Sequence, residues 1–282
     1  MPWQLSDRLL DLDAPIAAGI VNVTDDSMFA GARSGTPERA VTDGLRLAAE
    51  GFDMLDVGAL AARSGPPVAA EEEAARLAPA IAGLVAATDL PVAADTFSAE
   101  VARRALEAGA VAINDIGGGA PEMLEVVAER GCGYVLMHIE GPPRVDREPP
   151  RYGDVVAHLG EWFAAKLEEA QAAGVGAEQV VLDPGLDFDL TVEDNIEILR
   201  RLGELVSLGR PLYVSLSRKD FLGAVLAGSW EGRLDAEDRE WATVAATSLA
   251  VAGGAAILRL HDLSSLQAMR LAAAVGVNGA GA

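Results

Sequence analysis

Asp95, Asn114, Asp183 and Lys219 are the residues of this chain best suited to do chemistry together, because each follows a short apolar run. Asp95 closes Pro91 to Ala94, Asn114 closes Val111 to Ile113, and Asp183 closes Val180 to Leu182. Lys219 follows Leu212 to Leu216 by way of Ser217-Arg218. Carboxylates accept hydrogen bonds from ring N–H and amino groups, while an ammonium donates to ring oxygen or nitrogen. The set therefore matches a flat heteroaromatic ring with amide-like edges. A buried lysine among acids is costly unless it is paired or faces a polar ligand. Singly, each residue has a plainer reading. An aspartate after an apolar run often caps the next helix, and Asn114-Asp115 before Gly117-Gly118-Gly119 reads as a turn. The collection of four points to a site.

A second set is cationic. Arg63, Arg218, Arg259 and His261 are expected around the same mouth, with Arg259 and His261 on one side of their strand because side chains alternate. Ser217 is expected at the start of a helix, where free backbone N–H groups favour an anion. A phosphate or carboxylate ligand follows. The plainer reading of any one arginine is an ion pair with this chain's many acids. His158, inside an amphipathic stretch, reads as structural. Cys132, the only cysteine, lies between two glycines before an apolar run and reads as a small packing residue. There is no His-Glu-x-x-His and no cysteine pair, and no nucleotide-binding glycine pattern stands in the required setting.

The elements that must position these residues alternate along the chain. Eight short apolar runs read as strands buried on both faces, with amphipathic helical stretches between them. Thr36-Pro37-Glu38 predicts a helix start running to Glu50, and Thr191-Val192-Glu193-Asp194 predicts a capping box that opens a helix to Leu208. Eight regular repeats favour a single (β/α)8 barrel over a doubly wound open sheet, and barrel enzymes carry their sites at strand C-termini. Long connections are expected after strands 1, 2 and 5: Asp25 to Gly35, Ala59 to Val68, and Ile139 to Tyr152. The barrel domain is expected to span residues 1–282, with a frayed tail from about 276.

The bulk numbers exclude some classes. The 282 residues carry a formal charge of -21, which repels nucleic acid and anionic membranes over most of the surface. No apolar run is long enough to span a bilayer, and no secretory leader is recognisable, so a cytoplasmic protein is expected. Only Lys166 and Lys219 are lysines. Lys166 sits in a helical stretch and reads as a solvated charge.

In order, the motifs resemble the dihydropteroate synthase family. The matching stretches are Gly19-Ile20-Val21-Asn22-Val23-Thr24, Asp26-Ser27, Asp56-Val57-Gly58, Asp95-Thr96, Asn114-Asp115, Met137-His138, Asp183-Pro184-Gly185, Ser217-Arg218-Lys219 and Arg259-Leu260-His261-Asp262. They cover essentially the whole chain. The resemblance implies a (β/α)8 barrel in which 4-aminobenzoate displaces pyrophosphate from 6-hydroxymethyl-7,8-dihydropterin pyrophosphate. It implies that Asp95, Asn114, Asp183 and Lys219 bind the pterin, with Met137 and Phe188 as apolar walls. It implies that Asn22 helps hold Mg²⁺ and that Arg63, Arg259 and His261 take the pyrophosphate. Ser217 would lie near the aminobenzoate carboxylate. Lys219, Arg63, Arg259 and His261 are the expected catalytic residues, and the family implies a homodimer.

Three places depart from the family pattern. The first loop reads Thr24-Asp25-Asp26-Ser27-Met28 where Thr-Pro-Asp-Ser-Phe is usual. The second reads Leu60-Ala61-Ala62-Arg63-Ser64-Gly65 where Glu-Ser-Thr-Arg-Pro-Gly is usual. Asp187 stands where a glycine usually precedes the phenylalanine. The alternative is a pterin-binding paralogue, either a methyltetrahydrofolate methyltransferase or a synthase-like protein that no longer couples aminobenzoate. A non-catalytic pterin binder is a third reading.

Overall fold

From Ile16 onward, successive strands of this chain lie side by side and parallel, joined by helices that return over the outside. The computed structural model describes residues 1–6, 8–24, 34–61, 65–145 and 147–276. An antiparallel hairpin of β1 (Pro2–Gln4) and β2 (Leu9–Asp11) comes first. Then follow β3 (Ile16–Asn22), α1 (Pro37–Glu50), β4 (Met54–Gly58), α2 (Ala70–Ala87), β5 (Val92–Asp95), α3 (Ala99–Glu107), β6 (Ala112–Asp115), α4 (Pro121–Arg130), β7 (Gly133–Met137) and α5 (Val155–Ala172). The chain continues with β8 (Val180–Asp183), α6 (Val192–Arg200), α7 (Leu202–Val206), β9 (Tyr213–Ser215), α8 (Asp220–Ala227), α9 (Glu240–Ala252), β10 (Ile257–Leu260) and α10 (Leu263–Ala274). The sheet order is β8-β7-β6-β5-β4-β3-β10-β9, and a parallel bridge between Leu182 and Leu212 brings its two edges together. This is the eight-stranded barrel the alternation predicts.

Side-chain parity divides the barrel into layers. Ile16, Ala18, Met54, Ala93, Ala112, Val135, Val181, Tyr213 and Ile257 point inward and pack together. Two residues further along each strand, the same parity brings Asp56, Asp95, Asn114, Met137, Asp183, Ser215 and Arg259 to the mouth. The opposite parity, including Val57, Ala94, Ile113, Leu136, Leu182, Val214 and Leu258, packs on the helices.

The first hairpin, which the sequence pattern does not announce, plugs the other end. Trp3 and Leu5 are fully buried against the inward apolar layer, and Trp3 Nε1 donates to the Gln179 carbonyl at 2.7 Å. Gly133 makes room for the plug, since a Cβ there would meet Leu5 at 2.7 Å and Trp3 at 2.9 Å.

Most helix boundaries follow their caps. Thr36 accepts from Arg39 N–H at the start of α1, and Asp154 accepts from Val156 and Ala157 N–H at the start of α5. Thr191 and Asp194 form the expected capping box. The helix expected to run on to Leu208 breaks instead at Arg201, whose φ of -112° and ψ of 21° divide α6 from α7. Parts of the expected long connections, at 25–33, 62–64 and 146, lie outside the described residues, as does the expected tail from 277 onwards. Among the described residues no helix is long and apolar enough to cross a membrane.

Candidate active site

Asp95, Asn114, Met137, Asp183, Phe188 and Lys219 line one pocket at the barrel mouth, together with Ile116, Gly185, Leu186, Ser215 and Arg259. The four polar residues picked out from the sequence thus converge. Met137, Ile116, Ile139 and Phe188 form a small apolar cluster that makes the walls, as expected for Met137 and Phe188. Lys219 is buried, with its Nζ 4.5 Å from the centre of the Phe188 ring, a cation–π contact.

The hub beneath the pocket is Asp56, which the sequence reading did not single out. Its Oδ2 accepts from Asn114 Nδ2 at 3.0 Å, from the Tyr213 hydroxyl at 3.1 Å and from Arg259 Nε. Its signals in the sequence were its place after Met54-Leu55, within the Asp56-Val57-Gly58 motif, and its inward parity two residues beyond Met54. Asn114 spends its amide nitrogen on Asp56, so its buried Oδ1 has no protein donor. An unmet buried acceptor costs about 1–3 kcal/mol, and a ligand N–H would offset that.

Burial sets the protonation of the acids. It pushes Asp183 up to about 6, against the Gly185 N–H at 2.8 Å and the nearby positive charges of Lys219 and Arg259. Burial also raises Asp95, although Arg259 Nη2 donates to its Oδ2 at 2.7 Å. Gly185 is required here: φ is 70°, and a Cβ would meet the His138 carbonyl at 2.2 Å. Asp115, of opposite parity, turns away from the pocket and accepts from Tyr134 and from the N–H groups of Gly117 and Gly119. Cys132 is buried, and burial pushes its thiol up to about 12, in keeping with a packing role.

Three members of the cationic set are held by groups within the protein. Arg259 reaches down into the barrel, where it bridges Asp56 and Asp95. Arg218 lies one residue off the inward parity, with φ 57°, and is 4% exposed. It is clasped by Asp262 at 2.9 Å and by the carbonyls of Ala236 and Glu237, so it holds the β9–α8 turn and does not line the mouth. His261 is a neutral imidazole. Burial first, then the positive charges of Arg259, Arg218 and Lys219, hold it well below the usual histidine range. Arg63 lies outside the described residues.

Ser217 and its helix also differ. The Ser217 Oγ lies 2.9 Å from His261 Nδ1 and accepts the His261 N–H at 3.4 Å. The helix, α8, begins three residues later, and its first N–H groups are already taken. Phe221 N–H donates to Asp187 Oδ1 at 3.0 Å, and Asp220 N–H donates to Asp187 Oδ2. The anion expected at this helix start is the chain's own carboxylate.

Asn22 ends β3, half-buried, on the inward parity with Ile16, Ala18 and Ile20. It offers one neutral amide oxygen, a hard donor of the kind Mg²⁺ takes. Among the described residues the mouth has no group of three metal-ligating side chains.

The fold and pocket together define a (β/α)8-barrel enzyme with acids, an amide and a lysine gathered at its strand C-termini. The family model for pterin binding enzymes matches residues 18–261, and the chain belongs to that family, among the dihydropteroate synthases. A dihydropteroate synthase of Mycobacterium leprae is 40% identical over 93% of this chain and 94% of its own length. An inactive dihydropteroate synthase 2 of the same organism is also 40% identical, over 93% of this chain and 91% of its own. The solved structure of Xanthomonas albilineans dihydropteroate synthase with 4-aminobenzoic acid superposes with a TM-score of 0.86, at 39% identity and 98% coverage of both chains.

Proposed function

We propose that this protein is a dihydropteroate synthase, a transferase that joins 4-aminobenzoate to 6-hydroxymethyl-7,8-dihydropterin pyrophosphate and releases pyrophosphate. The observation that carries the reading is the pocket floor, where the buried and unmet Asn114 Oδ1 sits with Asp95, Asp183 and Lys219 between Met137 and Phe188. A pterin presents N–H and amino donors on one edge and a ring oxygen and nitrogens beside them. It therefore satisfies acceptors and a lysine at once.

The reaction needs no enzyme nucleophile. The aminobenzoate nitrogen forms a bond to the pterin methylene carbon as the carbon–oxygen bond to diphosphate breaks. The amine then gives up a proton. The acids of the floor favour the positive charge that develops on the pterin and methylene. Ser217 accepts the His261 N–H and so has its own proton free for Nδ1. With the Ser217 hydroxyl as donor to Nδ1, the neutral ring would carry its proton on Nε2 and could pass it to a diphosphate oxygen. Arg259, and Arg63 from the second loop, supply positive charge to the leaving group. Ser217 would lie near the aminobenzoate carboxylate. Asn22 would help hold Mg²⁺, which would supply positive charge against the diphosphate.

A homodimer is part of this proposal. Trp241, Leu249 and Leu271 are 77%, 61% and 67% exposed on the packed helices α9 and α10, where a second copy would cover them. A cytoplasmic location, with a reducing environment for the single thiol, completes it.

The 4-aminobenzoic acid complex of the Xanthomonas enzyme supports the second substrate, and the inactive Mycobacterium relative makes turnover the decisive property. The test is to incubate purified protein with the pterin pyrophosphate, 4-aminobenzoate and Mg²⁺ and look for 7,8-dihydropteroate by mass. Its appearance supports the synthase. Pterin binding without product would move the chain to the uncoupled paralogues.

A further inference from the structure

We propose that His138, Glu140 and His158 form a transition-metal site, outside the pterin pocket and independent of the synthase reading. Strand parity turns Met137 into the pocket and sends the next residue, His138, outward against α5. His158 comes from the first turns of α5, and Glu140 from the loop between them. Glu140 Oε1 lies 3.2 Å from His138 Nε2 and 2.6 Å from His158 Nε2, and all three ligand atoms lie within 4.8 Å of one another. Zinc–nitrogen and zinc–oxygen bonds of about 2.1 Å in a tetrahedron put ligand atoms about 3.4 Å apart. The separations here bracket that value.

The site is built rather than incidental. The two imidazoles stand nearly perpendicular, at 84°, with centroids 5.6 Å apart, and both point Nε2 at one carboxylate oxygen. The Glu140 main chain is fixed at both ends: its N–H donates to Asp189 Oδ2 at 3.0 Å, and its carbonyl accepts from Arg147 at 2.8 Å. Arg147 also pairs with Asp189 at 3.0 Å. The fully buried His138 ring packs edge-on to Trp162 at 5.0 Å.

Two imidazole nitrogens and one carboxylate oxygen suit Zn²⁺ or Co²⁺ better than Mg²⁺ or Ca²⁺. His158 and Glu140 keep 37% and 28% of their side-chain exposure, which leaves an open side for water as a fourth ligand. A bound ion would staple the end of β7, its loop and α5, directly behind the Met137 wall.

Metal-free protein is titrated with Zn²⁺ against a chromogenic chelator, and with Co²⁺ followed by its visible spectrum. The wild type should take up one tight ion per chain, and Co²⁺ should show the intense bands of four- or five-coordination. His158→Ala, at a partly exposed position, should weaken Zn²⁺ on the order of 100-fold and abolish those bands, since even supporting partners of metal ligands cost 10–100-fold. Glu140→Gln should weaken it at least about tenfold. Equal Zn²⁺ affinity in the wild type and His158→Ala, no tight ion in the wild type, or an octahedral Co²⁺ spectrum would overturn the assignment.

Discussion

Asp187 caps the helix that follows Lys219: its Oδ1 accepts the Phe221 N–H at 3.0 Å, and its backbone N–H donates to Asn195 at 2.8 Å. Asp187 holds φ 70°, which explains why a glycine is usual here and why the aspartate is tolerated. The left-handed backbone costs about 1–2 kcal/mol, and a helix cap returns about 1 kcal/mol while satisfying buried N–H groups. Asp187→Ala keeps the strain and loses the cap. It should cost about 1–2 kcal/mol of stability and loosen the Lys219 turn. A lower Tm together with a higher KM for the pterin substrate, with wild-type circular dichroism, is the expected result. Unchanged values for both would contradict the capping role.

The protonation of Asp183 gives a pH dependence with a definite sign. Burial raises its pKa to about 6. A pterin N–H prefers the ionised carboxylate, so the complex binds fewer protons than the free protein. Affinity therefore rises with pH through about 6 and levels off above it. From pH 7 to pH 5 the pterin Kd should weaken about tenfold, one pKa unit being a factor of ten. Asp95, raised by the same burial, acts in the same direction. Calorimetry of the wild type and Asp183→Asn checks this, with the variant expected to bind weakly and to show a shallower pH profile.

Asp56 should be as important as any residue that lines the pocket. It is fully buried, and Asp56→Ala leaves Arg259, Asn114 and Tyr213 without their common acceptor. Removing one partner of a buried ion pair costs about 3–5 kcal/mol. Thermal and urea unfolding should show a loss of that size, with pterin binding abolished in the fraction that folds. A stable variant with intact pterin affinity would remove Asp56 from its central place.

Arg144 ties two mouth loops together. It donates to the Ala61 carbonyl at 2.5 Å and to the Pro66 carbonyl at 2.9 Å, on either side of the loop that carries Arg63. Arg144→Ala should lower kcat/KM about tenfold or more through misplacement of that loop, since about 1 Å of displacement near a reaction centre can cost 100-fold. Tm should change little, because these contacts lie at the rim. Steady-state kinetics and a melting curve on the same preparation separate the two effects.

The strands and most helices were legible because buried parallel strands leave apolar runs and helices leave caps, as at Thr36 and Thr191. The pocket residues were legible for the same reason: Asp95, Asn114 and Asp183 each break an apolar run at its C-terminal end. What was not legible depends on tertiary surroundings. Three-residue strands carry too little pattern to reveal the hairpin that seats Trp3. Asp56 read as one more strand end, since its value comes from three residues on three other strands. His261 read as a cation because sequence does not carry the loss of solvent. Arg218 read as a mouth residue, but one step of parity turned it outward to Asp262. Asp187 read only as a departure, because the N–H groups it caps lie more than thirty residues away.

The decisive measurement is pyrophosphate release by the purified protein, with and without 4-aminobenzoate, in the presence of the pterin pyrophosphate and Mg²⁺. Release should depend on aminobenzoate, match 7,8-dihydropteroate one for one, and be lost in Lys219→Ala. Release that ignores aminobenzoate, or none at all from protein that binds the pterin tightly, would contradict the synthase reading.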